Sequence, residues 1–235
     1  MRASGLRARL PLSTRADAVE LLDSGRLRPD DVERNLADLA RMNRLAGGTA
    51  ASLTAIQQLV GPEGGVRVLD VGTGRGDMPI AFARRGWQAV AIDTNPEVLA
   101  VARRAVAGHR GVELIEADGR ALPFEDGAFE VAHCSLLVHH LSPSEAVAAL
   151  REMRRVARKG VVINDLRRGL FPLIATALTV VALGRSAVTR NDGIVSARRA
   201  YTVAELDALL REAGLIRRWR SPAWLPRVVT AAVPA

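Results

Sequence analysis

Lysine is almost absent from this chain. Lys159 is the only one among 33 basic residues in 235 positions. No G-x-x-x-x-G-K-[ST] phosphate loop can therefore be present, and neither can a Tyr-x-x-x-Lys pair, because the single tyrosine, Tyr201, has Glu205 four positions on. One cysteine, Cys134, rules out a disulfide framework and fits a reducing cytoplasm. It stands in His-Cys-Ser with no Pro before it, so it reads as a buried strand thiol rather than a Pro-Cys nucleophile. Aromatic residues make up only 3% of the chain, too few for base-stacking platforms, and no nucleic-acid partner is expected. The basic start, Met1–Leu10, lacks the apolar stretch of a secretory signal. The uncharged apolar segment 170–183 falls short of the roughly 20 residues that span a bilayer.

Charge is distributed unevenly. The net charge of +8 divides into +2 over 1–60, −4 over 61–150 and +10 over 151–235. The middle third is thus acidic and suits a cationic ligand. The preference for Arg over Lys reflects a compositional bias of the source genome rather than a recognition device. With 49% hydrophobic residues the chain can bury a substantial core, and its length predicts one domain with a small appendage.

The segment that carries function is Val68-Leu69-Asp70-Val71-Gly72-Thr73-Gly74-Arg75-Gly76-Asp77. An apolar run feeds a turn with glycine at every second position, and a helix-like stretch follows. Such a turn lets a nucleotide-type ligand approach the backbone of a βαβ unit. Asp77 breaks the G-x-G-x-x-G spacing of the pyrophosphate-binding fingerprint, so the pattern favours a nucleoside ligand without a phosphate chain. A second apolar run, Val90–Ile92, ends in Asp93, 23 positions after Asp70, where a carboxylate can accept from ribose hydroxyls. Two more tips follow, at Asp118 and at Ser135.

In these stretches, together with Ala117–Phe124, Phe129–Leu141 and Gly160–Asp165, the chain resembles the class I S-adenosylmethionine-dependent methyltransferases of the small-molecule, ubiquinone/menaquinone-biosynthesis-like group. The resemblance covers about 60–165. It implies a doubly wound, Rossmann-like α/β fold with a seven-stranded sheet of order 3-2-1-4-5-7-6, strand 7 antiparallel. It also implies roles. Asp70 and the turn Gly72, Thr73, Gly74 and Gly76 would hold the methionine part of S-adenosyl-L-methionine. Asp93, with Thr94 beside it, would bind the ribose. Asp118 would take the adenine amino group, with Gly119 and Leu122 beside the ring, and Ser135 and Leu136 would face the methionine end. A nicotinamide-dependent oxidoreductase would share the fold but is disfavoured by Asp77. A non-catalytic cofactor-binding protein would keep the glycines and lack acceptor space.

The domain organisation expected is an N-terminal helical lid over 1–60 and a methyltransferase domain over 61–235, with an apolar and basic insertion at 166–200. Pro29, Asp30 and Asp31 open a helix that continues through Val32, Leu36, Leu39 and Met42 at helical spacing. Gly47-Gly48 breaks it before a second helix through Leu53, Ile56 and Leu59. Gly61–Gly65 is the turn into the first strand. Strands and helices then alternate, with crossover helices at Val98–Val106 and Ser144–Val156 and a fifth strand at Gly160–Asn164. Thr202 and Glu205 form a capping box for a helix over Ala204–Ala213. Leu215–Arg220 and Arg227–Val233 are the last two strands, paired antiparallel.

Two segments lie outside this generic frame. The N-terminal helix pair, with Asn35–Arg44, reads as a lid closing over the cofactor or as a helix packed on the sheet edge. Leu170–Leu183 carries no charge and reads as a lid helix lining an apolar acceptor pocket, or as a patch touching membrane with Arg167, Arg168 and Arg185 beside it. A buried helix without substrate contact is the third reading. Arg190–Thr202 is similar to a segment of the same methyltransferases, including some encoded with phenolic-lipid polyketide pathways. There Asp192, Ser196, Arg198 and Arg199 would orient a polar head; a loop with solvated arginines is the alternative.

Methyl transfer from a sulfonium is an in-line displacement in which the charges of both reactants vanish together, so a water-poor, well-aligned site favours it. An oxygen acceptor of phenol-like acidity benefits from a base. Among His109, His133, His139 and His140, only His139 and His140 lie just beyond the fourth strand, where the methyl group should emerge. They are the candidate base or acceptor-orienting groups. Asp165 follows the fifth strand without a paired second carboxylate, and no metal is expected. The expected activity is methyl transfer to a small hydrophobic acceptor, O-methylation of a phenolic, quinone or polyketide-type compound foremost, by a cytoplasmic enzyme with peripheral membrane contact through 170–183 as an option.

Overall fold

The computed structural model describes residues 12–25, 27–62 and 65–235. The basic start at 1–10 and Glu63-Gly64 of the entry turn lie outside the described residues. In chain order the elements are α1 (Pro29–Leu45), α2 (Gly48–Val60), β1 (Arg67–Val71), α3 (Asp77–Ala83), β2 (Gln88–Asp93), α4 (Pro96–Val106), β3 (Val112–Glu116), β4 (Phe129–Ser135), α5 (Pro143–Val156), β5 (Ala157–Leu166), α6 (Leu170–Leu183), α7 (Ala187–Arg199), α8 (Val203–Glu212), β6 (Leu215–Arg220) and β7 (Arg227–Pro234).

The sheet runs β3-β2-β1-β4-β5-β7-β6, the expected order. β1 pairs in parallel with both β2 and β4, and β7 runs antiparallel between β5 and β6. Strand order therefore reverses between β2-β1 and β4, and the crevice beyond the carboxyl ends of those strands is where this topology binds ligands.

Alternation along the central strands divides the core into two layers. Val68, Val131 and Val162 face one side and pack with Ile56 of α2 and Phe82 of α3. Their neighbours Leu69, Ala132 and Ile163 face the other side and pack with Leu150 of α5 and Leu210 of α8. Each such aliphatic side chain contributes about 1.5–3 kcal/mol on burial. α2 is thus part of the sheet's own core, whereas α1 packs through Val32 and Leu36 on Val98 and Val101 of α4.

Local signals start the helices. Asn95 accepts from the N–H groups of Glu97 and Val98 ahead of Pro96. Ser142 with Glu145 and Thr202 with Glu205 both form reciprocal capping boxes. Two segments are settled by the structure. Residues 187–199 form the helix α7, which excludes the loop alternative, with Ser186 capping Val188 N–H. β5 extends beyond Gly160–Asn164 at both ends, because pairing with β4 reaches back to Ala157 and pairing with β7 runs on to Leu166.

The hairpin α6–α7 is fastened to the N-terminal region by two aspartates. Asp38 of α1 accepts from Arg185 N–H at 2.7 Å, from Ser186 N–H at 2.8 Å and from the Arg41 guanidinium at 2.6 Å. Asp192 of α7 accepts from the N–H groups of Leu21 and Leu22. Burial opposes ionisation of Asp38, but the Ser186 N–H, Arg41 and the Arg185 N–H outweigh it and hold its pKa below the ordinary value of 3.8. Asp38→Ala should lower the unfolding free energy in urea by roughly 2–3 kcal/mol near neutrality. Because the folded-state pKa is depressed, this contribution is full above the ordinary value and fades as the pH falls through the folded-state one. The gap between wild type and variant should therefore close in acid; a gap independent of pH would contradict the assignment.

Candidate functional site

A cleft of about 500 Å³ opens at the carboxyl ends of β1, β2 and β4. Asp70, Gly72, Thr73, Gly74, Asp93, Thr94, Asp118, Gly119, Ser135 and Leu136 line it, so the structure brings most of the sequence-predicted residues together. The turn after β1 is bent by Gly72, Gly74 and Gly76, with φ of +71°, +55° and +86°. Gly76 does not line the cleft. It turns into α3 under α4, where an added Cβ would come within 2.9 Å of Val106 Cγ1.

Leu122 departs from expectation. Its side chain sits in the core beside Phe129 and Met153, its N–H donates to Glu152, and it does not line the cleft. The stretch Leu122-Pro123-Phe124 follows the tip of β3 in sequence but folds back beneath α5. Asp118 lines the cleft with a carboxylate already engaged by Arg120 at 2.8 Å, and Arg120 also reaches Glu145. That bond to Arg120 holds Asp118 below its ordinary pKa against the effect of burial. The pair is about two-fifths exposed, so it is worth under about 1 kcal/mol and can yield to a ligand.

A chain of buried polar groups runs beneath the cleft. Asp70 Oδ1 meets His133 Nδ1 at 2.7 Å, and His133 Nε2 meets Ser52 Oγ at 2.9 Å. Asn164 donates to Ser52 Oγ and accepts from Arg227 Nη1, each at 2.9 Å. Arg227 Nη1 also donates to Asn43 Oδ1 at 2.8 Å, and Asn43 donates to Asp77 at 3.1 Å. Burial pushes the Arg227 guanidinium down to about 10, with Asp165 and Asp77 pulling it back up, so it remains a cation at neutral pH.

The carboxylates of the cleft are held in surroundings that disfavour their charge. Burial raises the pKa of Asp77, and nearby Asp70 adds to the rise while Asn43 opposes it. Burial likewise raises Asp93, although its carboxylate accepts from the N–H groups of Asn95 and Gly74. Two buried hydroxyls of the lining, Thr73 Oγ1 and Ser135 Oγ, have no hydrogen-bond partner. Orphaned polar atoms and destabilised carboxylates around one cleft fit a polar, positively charged ligand such as S-adenosyl-L-methionine. Leu136 holds φ of +55°, a conformation rare outside glycine, at the junction of this cleft with a second cavity.

That second, smaller cavity lies under α6 and α7. Leu22, Leu39, Asn43, Leu136 and His140 line both spaces. Its apolar wall includes Met42, Leu166 and Val180, and its polar groups include Glu20, His139, Asp192 and Ser196. His139 is buried, with Nδ1 at 2.5 Å from Asp165 Oδ1. His140 Nδ1 contacts Asp23 at 2.7 Å. Burial raises the Glu20 carboxyl to about 7, with His140 and Ser196 opposing. Asp192 and Ser196 stand in the cavity wall, but Arg199 is spent on His140 O and Asp23. Arg168 is buried on Glu205 rather than turned to a surface.

Leu39 and Asn43, which line both spaces, belong to the N-terminal helix read as a lid, whereas Asp77 and Glu20 are lining residues that sequence reasoning missed. Asp77 served only to break a glycine pattern, and Glu20 stands 119 positions before His139 with no local signal to mark it. Cys134 is the buried strand thiol expected, with burial pushing its pKa well up.

Comparison with known proteins agrees with this geometry. A family profile described as a methyltransferase domain matches residues 68–160. The chain is 31% identical over 172 residues to a demethylmenaquinone methyltransferase of Clavibacter sepedonicus, covering 68% of this chain and 69% of that protein. It spans about half the length of some other curated relatives and 72% of a demethylmenaquinone methyltransferase of Roseiflexus castenholzii. Among solved structures, a SAM-dependent methyltransferase from Aquifex aeolicus aligns with a TM-score of 0.64 at 20% identity, over 88% of this chain and all of that one. A magnesium protoporphyrin IX methyltransferase from Synechocystis with bound SAH aligns with a TM-score of 0.59 at 17% identity, over 83% of this chain and 86% of that one. The glycine turn, the ring of acidic strand tips and these relationships converge: the chain belongs to the class I S-adenosylmethionine-dependent methyltransferases, in the ubiquinone/menaquinone-biosynthesis-like group.

Proposed function

We propose that this methyltransferase modifies the oxygen of a small hydrophobic phenolic or quinone-derived acceptor held in the cavity under α6. The observation that carries the reading is the shared wall: Leu136 and His140 border the cofactor cleft and the second cavity alike. S-adenosyl-L-methionine supplies an electrophilic methyl group. Asp93 accepts from its ribose hydroxyls, Thr73 and Ser135 offer their orphaned hydroxyls to its methionine end, and Asp70 and Asp77 provide negative potential for its cationic groups. Leu22, Leu39, Met42 and Val180 exclude water from the reaction line, which favours a displacement that destroys charge. His139 and His140, anchored through Nδ1 by Asp165 and Asp23, orient the acceptor oxygen.

α6 supports a lipid-borne acceptor. Its inner residues Thr176, Thr179 and Val180 line the cavity, while Leu170, Phe171, Ile174, Leu178 and Val181 are exposed on its other side. No helix among the described residues is long and apolar enough to cross a membrane. A helix with this exposed face, with Arg185 exposed nearby, fits the surface of an anionic bilayer. An acceptor with an alkyl tail could then enter from the lipid through α6.

Three outcomes test the reading. Asp93→Ala should weaken S-adenosylhomocysteine binding about 100-fold by calorimetry with the melting temperature little changed, because two charge-assisted hydrogen bonds are lost. Unchanged affinity would refute the ribose assignment. Incubation with phenols, quinones and alkylresorcinol-type lipids should yield a product heavier by one methyl, and His140→Ala should reduce its formation more than it reduces cofactor affinity. Methylation at carbon alone would refute the oxygen assignment. Phe171→Asp with Leu178→Asp should cut co-sedimentation with anionic vesicles roughly tenfold or more; equal sedimentation would exclude α6 as the contact.

A further inference from the structure

Glu20 has no task in cofactor binding, yet it is 4% exposed and its Oε1 accepts no hydrogen bond. A bare carboxylate oxygen in such a place is costly unless something positive meets it. His139 Nε2 stands 3.6 Å from Glu20 Oε1, and His140 Nε2 stands 3.8 Å from Glu20 Oε2. Both separations are too long for hydrogen bonds. They are close to the edge of about 3.4 Å between neighbouring ligand atoms around a tetrahedral ion bound at 2.0–2.1 Å. The three donor atoms lie within 4.8 Å of one another.

The outer contacts point the same way. Each imidazole is fixed through its far nitrogen by its own carboxylate, His139 by Asp165 and His140 by Asp23. A neutral ring that donates from Nδ1 presents a lone pair at Nε2, and a carboxylate behind the ring is how metal-ligating histidines are oriented. The two rings stack at 4.2 Å between centroids, so both Nε2 atoms reach the same carboxylate. Glu20, Asp23, Asp165 and Asp192 gather here. Three guanidiniums stand around them: Arg199 lies 3.6 Å from Asp23 and donates to His140 O, Arg15 donates to His139 O, and Arg227 lines the cavity beside Asp165.

We infer that Glu20, His139 and His140 form a binding site for a divalent first-row transition ion of the Zn²⁺ type in the wall of the acceptor cavity. Two imidazoles and one carboxylate are a donor set for such ions, and three protein ligands leave a coordination position open. A hydroxyl acceptor that occupies it releases its proton to solvent and binds as the oxyanion. The oxyanion then takes the methyl group: the C–O bond forms as the C–S bond breaks, leaving a neutral thioether and an ether product. This use in catalysis rests on the function proposed above; the binding of the ion does not.

The test uses tag-free protein, stripped with chelator and titrated with Zn²⁺ by calorimetry without cofactor. Wild type should bind one equivalent, and Co²⁺ should give visible d–d absorption at the same stoichiometry. Glu20→Gln and His140→Gln should abolish both signals, Asp23→Asn should weaken binding about 10–100-fold, and His109→Gln should leave it unchanged. Circular dichroism establishes which variants fold. If a ligand variant does not, the Co²⁺ spectrum of wild type decides, since coordination by imidazole and carboxylate has its own signature. No stoichiometric binding by wild type, or unaltered binding by folded Glu20→Gln, overturns the inference. Loss of S-adenosylhomocysteine binding or of product would instead sink the proposed function and leave the metal result standing.

Discussion

The buried polar chain from Asp70 to Asp77 is the constraint on which the remaining architecture depends. Burying a guanidinium and two carboxylates costs several kcal/mol per ion unless each finds partners of good geometry. Here the cost is met by relay: His133, Ser52, Asn164 and Asn43 pass hydrogen bonds from Asp70 to Arg227 and on to Asp77. The chain crosses β1, β4, β5 and β7 and takes members from α1 and α2, so the strands beneath the cleft and the helices beside it share one network. Gly48 is part of the same constraint, because a Cβ there would collide with Arg227 and Asn43.

That network also sets the character of the cleft. Arg227 faces Asp70 and Asp77 through intermediaries, Arg120 is paired with Asp118, and Asp93 adds a carboxylate disfavoured by burial. Carboxylates held against burial give this cleft negative potential, which a sulfonium and an ammonium would complement. The acidic middle third of an otherwise basic chain is the composition-level trace of this arrangement.

The acceptor side is built on a different principle. α1, α6 and α7 have little contact with the sheet's core and are joined to one another and to residues 20–22 by the carboxylates of Asp38 and Asp192 accepting backbone N–H groups. Capping bonds of this kind position an apolar wall without filling it with side chains. The result is a cavity whose lining is drawn from stretches as far apart in the chain as Glu20 and Arg227, with Glu20, His139 and His140 at one of its walls.

The legible part of this protein was local. The apolar run into Asp70, the glycine turn, the capping box of Thr202 with Glu205 and the uncharged run of α6 each act within a few residues, so composition and spacing carry them. Sheet order came through resemblance, because no local signal specifies which strands are neighbours. What only the tertiary structure decided was set by long-range packing: Leu122 turned into the core, Arg168 onto Glu205, and Asp192 of α7 against the N–H groups of Leu21 and Leu22. Glu20 reaches two histidines far along the chain for the same reason. The physical ground is range: hydrophobic period and backbone capping act over a turn or two, whereas the partner of a buried charge is whatever group the folded sheet and lid bring within a few ångströms.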